Sequence, residues 1–152
     1  MKRILAVALL IIASGTSAAT FVTSNNVDPM TGKITGKYST ITSKDGSASL
    51  YLEWGKKGGA WLDVKSGLID NALDDQGYVG RIRFGNATVQ KISGVVSRNF
   101  KSIQLGGHSD YSSSEDLGTN VISEKIRNHK GELKIEIPIY NLGNKVFVFN
   151  IN

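Results

Sequence analysis

The chain has 152 residues, no cysteine and a formal charge of +5, from 18 Lys and Arg against 13 Asp and Glu. That length suffices for one domain with a core of its own. The missing cysteines exclude disulfides, thiol catalysis and Cys-type zinc sites, so packing alone must hold the fold.

Lys2 and Arg3, the apolar run from Ile4 to Ala13, and Thr16-Ser17-Ala18-Ala19 have the order of an export signal. Cleavage is expected after Ala19 or Ala18, leaving residues 20–152 as a single domain. The apolar run is too short to span a bilayer, and the lack of a cysteine at its exit excludes a lipid anchor. Loss of Lys2 and Arg3 would lower the charge from +5 to +3. Such a modest, dispersed charge disfavours nucleic acid as a partner and suits weak attraction to anionic envelope surfaces. The expected address is the bacterial periplasm or the exterior.

Phe21 to Ser24 begin an extended segment. Asp28-Pro29-Met30-Thr31-Gly32 reads as a tight turn, with Pro presetting φ, Asp bonding downstream amides and Gly taking positive φ. Residues 33–43, rich in Thr, Ile and Tyr, favour a strand. Lys44-Asp45-Gly46-Ser47 is a second turn. Residues 48–54 form a strand with Leu50, Leu52 and Trp54 in one phase and Tyr51 and Glu53 in the other. After Lys56-Lys57-Gly58-Gly59 the chain returns through residues 60–64. Residues 65–77 are loop-like. Residues 78–84 alternate, with Ile82 and Phe84 opposite Arg81 and Arg83, and Gly85-Asn86 turns the chain. Strands are also expected at 88–92, 95–97 and 100–105.

Residues 106–118 form a polar loop. Residues 119–130 are the one good helix candidate: Thr119 or Asn120 can cap it, Val121, Ile122 and Ile126 have helical spacing, and Lys125, Arg127 and Lys130 suit its C-terminal end. The most legible stretch closes the chain. Leu133, Ile135, Ile137 and Ile139 alternate with polar residues, and after Asn141–Asn144 the alternation resumes at Phe147, Phe149 and Ile151. This is a hairpin that needs a second layer over its apolar face. The predicted class is all-β and mainly antiparallel: a β-sandwich with one short α-helix before the C-terminal hairpin.

Four cations are the candidate binding residues. Arg81 and Arg83 project from one strand face, and Lys125 and Arg127 crowd the helix end, where they would suit an anionic group or acidic partner. Tyr51, Trp54 and Trp61 are read as core, because Trp54 shares phase with Leu50 and Leu52; the alternative is an aromatic platform for a glycan. His108, Asp110 and Asp116 would be the residues of a hydrolase or metal site in the 106–118 loop, but they lack a nucleophile elbow and a paired histidine, the other histidine being His129. Asp70, Asp74, Asp75 and Gly77 miss the alternating calcium-loop pattern and its distal Glu. No catalytic residue, metal or cofactor is assigned.

The export signal, the Asp-Pro-Met-Thr-Gly turn at 28–32, Arg-Ile-Arg-Phe-Gly-Asn at 81–86 and the closing hairpin together resemble uncharacterised exported bacterial β-sandwich proteins of the periplasm, some phage- or plasmid-borne. More distantly the chain is similar to periplasmic accessory proteins of type VI secretion, which differ in carrying cysteines. The resemblance implies no catalytic residues. The expected function is that of a non-enzymatic periplasmic or secreted module that recognises an envelope protein partner. The alternative is a small hydrolase or metal-dependent enzyme using the 106–118 loop.

Overall fold

The computed structural model describes residues 19–54, 58–71, 78–106 and 119–152. Residues 1–18 of the expected export signal, Asp74, Asp75 and Gly77, the loop with His108, Asp110 and Asp116, and the capping side chains of Thr119 and Asn120 lie outside the described residues.

Among the described residues, ten strands and one helix follow in order: β1 Val22–Val27, β2 Ile34–Thr42, β3 Ala48–Glu53, β4 Ala60–Val64, β5 Gly80–Phe84, β6 Gln90–Ile92, β7 Gly94–Val96, β8 Ser102–Leu105, α1 Thr119–Asn128, β9 Gly131–Ile139 and β10 Gly143–Ile151. They form a six-stranded sheet, β1-β2-β3-β4-β8-β7, and a four-stranded sheet, β10-β9-β5-β6. Every pairing of these strands is antiparallel. The all-β, sandwich-like architecture expected from the alternation is the one observed.

Turn chemistry explains the opening meander. Asp28 Oδ1 accepts hydrogen bonds from the amides of Met30 and Thr31, and Gly32 closes the turn at φ 69°. Asp45 plays the same part between β2 and β3, accepting from Ser43, the Ser47 amide and the Ser47 hydroxyl. Later the chain changes layers between β6 and β7. Ile92, Ser93 and Gly94 are all buried there, and Gly94 has no room for a side chain, because a Cβ would meet Ile103 at 2.7 Å.

The core lies between the sheets. Leu133 pairs with Phe149 and Ile135 with Phe147 across β9 and β10, and all four are buried against Leu50, Leu52, Leu62, Ile103 and Leu105 of the other sheet. Each such side chain contributes roughly 1.5–3 kcal/mol by leaving water. The helix joins this core through Ile122 and Ile126, both fully buried, while Val121 stays half exposed. The outer edge of β10 is partly covered. Lys44 N donates to Val148 O at 2.7 Å, and Ala19 forms an isolated parallel bridge with Ile151. Such covering keeps a long edge strand from pairing with another chain.

Candidate binding groove

Strand alternation decides what the six-stranded sheet shows on its outer face. Ser39 and Ile41 point inward on β2, so Tyr38 and Thr40 point out. On β3 the inward Leu50 and Leu52 leave Tyr51 and Glu53 outside, and on β4 the inward Ala60, Leu62 and Val64 leave Trp61 and Asp63 outside. Register then brings these residues together. Tyr38 lies opposite Glu53, Tyr51 opposite Trp61, and Asp63 opposite Ser102. The result is a diagonal of three aromatic rings on three adjacent strands.

These residues line an open groove of about 360 Å³, completed by Asn26 at one end and Ser97 and Ser102 at the other. The Tyr38 and Tyr51 ring centres are 6.1 Å apart, with planes inclined at 41°. The two rings are therefore not coplanar. Among the described residues no cation lines the groove. Neither Glu53 nor Asp63 has an ion-pair partner among them. Burial raises the pKa of the Tyr51 hydroxyl, and the nearby Asp63 carboxylate raises it further. The Trp61 indole Nε1 is shielded from solvent and lacks a hydrogen-bond partner. A surface of this kind can stack on apolar or cationic groups and can accept hydrogen bonds from their polar atoms.

The assignment of Tyr51, Trp54 and Trp61 to the core is thereby corrected. Tyr51 and Trp61 are half-buried on the outer face. Trp54 keeps the phase of Leu50 and Leu52, its Nε1 donating to the inward-facing Ser39, but it lies one residue past the end of β3 and is 48% exposed. The signal for the outer face was in the sequence: Ala60, Leu62 and Val64 put Trp61 and Asp63 on the opposite side of β4.

No protein-family model, curated protein or solved structure matches this chain. Function has to be read from the chemistry of its own sites.

The four cations singled out from the sequence occupy three different settings. Arg81 donates from Nε and Nη2 to Glu136 Oε1, the shorter contact being 2.6 Å. Arg83 lies beside it in a cleft with Lys134, opposite which it pairs across β5 and β9, and its Nε is buried without a hydrogen-bond partner. Lys125 donates to Gln90 Oε1 at 3.0 Å and sits over the Phe84 ring. Arg127 stacks on Trp54 and donates to the Glu53 carbonyl. Arg81, Lys125 and Arg127 thus make contacts within the chain.

A second cleft, about 680 Å³, lies between the helix and the β5–β6 turn, with Glu124, Lys125 and His129 on its walls. His129 is held there: its Nε2 lies 2.9 Å from the Glu132 carbonyl, and its ring meets Phe84 edge-on at 5.2 Å. Among the described residues no three His, Asp or Glu side chains gather in a way that could hold a metal. No helix among them is long and apolar enough to cross a membrane.

Proposed function

We propose that the chain is an exported, non-enzymatic binding module of the bacterial envelope, and that it recognises a protein partner through the outer face of its six-stranded sheet. The observation that carries this reading is the row Tyr38, Tyr51 and Trp61, lining an open groove on the outward face of the sheet. Tyrosine and tryptophan supply large contact area at little conformational-entropy cost, and they are enriched at recognition surfaces. A rigid sheet, cross-braced by register on both sides, holds them ready without a folding step on binding. The export signal read at the N-terminus and the modest positive charge agree with work at the envelope.

A photoactivatable residue at Thr40, beside Tyr51 on the same face, tests this in cells. A discrete adduct from position 40, absent from a control at Val146 on the other sheet, supports the reading. Equal labelling from both positions, or none from position 40, counts against it. Substrate turnover lost on His108→Ala and Asp110→Ala would favour the hydrolase alternative instead.

A further inference from the structure

We infer that the groove takes a cationic, extended peptide segment of the partner, seating an arginine or lysine side chain between the aromatic walls and the carboxylates of Glu53 and Asp63. This deepens the reading above and rests on it.

Charge points to such an occupant first. The protein as a whole is basic, yet this groove carries two carboxylates with no ion-pair partner and no lining cation among the described residues. A local inversion of sign attracts the opposite sign and repels phosphate or acidic segments. The rings act in the same sense, since the negative faces of tyrosine and tryptophan attract guanidinium and ammonium groups. Asp63 and Tyr51 line the same groove, so ring and carboxylate face one space.

Shape narrows the choice further. A glycan stacking its flat apolar face would want rings near one plane, and the 41° inclination of Tyr38 to Tyr51 takes these two out of one. The groove runs from Asn26 on β1 to Ser102 on β8, across five neighbouring strands. At about 4.8 Å per strand spacing this is roughly 19 Å, the reach of about six extended residues.

The test titrates the isotope-labelled processed domain with three probes. They are a blocked heptapeptide alternating arginine and alanine, its glutamate counterpart, and a chitin tetrasaccharide. The arginine peptide is expected to shift the Tyr51 and Trp61 resonances. Its affinity should fall by about tenfold or more in Asp63→Asn combined with Glu53→Gln, and should weaken as salt rises. Both substitutions keep side-chain shape, and dispersion of the spectrum reports folding; if the pair unfolds the domain, Asp63→Asn alone carries the comparison. The inference is overturned if the arginine peptide leaves the groove unmoved, if the glutamate peptide or the glycan binds there as well or better, or if the folded variants bind the arginine peptide unchanged. No native partner is needed. An indifferent groove that still cross-links in cells therefore sinks this inference alone, while a responsive groove that never cross-links sinks the broader reading.

Discussion

Arg127, in the last turn of α1, holds its guanidinium carbon 4.6 Å from the centre of the Trp54 ring. The ring is fixed in turn, because its Nε1 donates to Ser39 Oγ at 2.8 Å. Arg127 also donates to the Glu53 carbonyl at 3.2 Å. The pair therefore ties the helix to the end of β3, which gives Arg127 a structural task.

A double-mutant cycle with Arg127→Ala and Trp54→Ala should return a coupling of about 0.5–1 kcal/mol, the usual worth of a cation over an exposed ring. Chemical denaturation measures it. Arg127→Ala should leave partner binding at its wild-type level, and Arg127→Lys should recover only part of the stability, because an ammonium lacks the planar face and the fork of donors.

Phe149 is the centre of the covalently unstapled core, fully buried opposite Leu133. Phe149→Ala should cost about 3–5 kcal/mol through lost transfer energy and the cavity left behind. Val146, on the same strand with its side chain 45% exposed, should lose no more than about 0.5 kcal/mol on replacement by Ala. Urea midpoints of the two variants check the contrast.

Gly80 is a test of close backbone approach. A Cβ there would run into the Glu136 carbonyl oxygen and the Ile137 side chain. A main-chain oxygen in a ladder cannot swing aside, so β5 would have to part from β9. Gly80→Ala should destabilise by about 1–3 kcal/mol or more. Gly36→Ala, where the nearest atom lies at 3.8 Å on the Asn26 side chain, should fold with near-native stability. Thermal melts of both variants separate the two outcomes.

Asp45 carries a pH signature. Hydrogen bonds from Ser47 first, then Ser43, stabilise its ionised form and lower its pKa to about 2. A folded-state pKa below the unfolded value of about 3.9 adds stability that is complete above the unfolded value. That contribution is lost as pH falls through about 2. Asp45 is exposed, so solvent screening keeps the effect small. Asp45→Asn should flatten the corresponding part of the acid limb, and a carboxyl carbon titration should place the wild-type midpoint near 2.

Much of this fold was legible because one physical rule was obeyed without interruption. From Leu133 to Ile139, and again from Phe147 to Ile151, every second side chain is apolar, and all of those side chains are buried. Asp28 and Asp45 announced their turns by their chemistry, and both turns are where they were expected. The helix was marked by Ile122 and Ile126. What the sequence hid was the groove. Tyr38, Tyr51 and Trp61 lie on three strands and meet through register and strand order, which no single segment encodes. Trp54 misled for a local reason: it keeps the inward phase but lies one residue past the end of β3, where it is 48% exposed. Arg81, Lys125 and Arg127 each engage a neighbour contributed by another part of the chain, contacts that the local sequence around each cation does not encode.

The most direct measurement is the affinity of the cross-linked partner, once purified, for folded Trp61→Ala. Trp61 projects outward from a strand whose inward residues keep the core, so its loss should leave the melting temperature nearly unchanged. If the sheet face is where recognition happens, calorimetry should show affinity reduced about tenfold or more, as for a residue at the centre of an interface. Undiminished affinity in the folded variant would contradict the account.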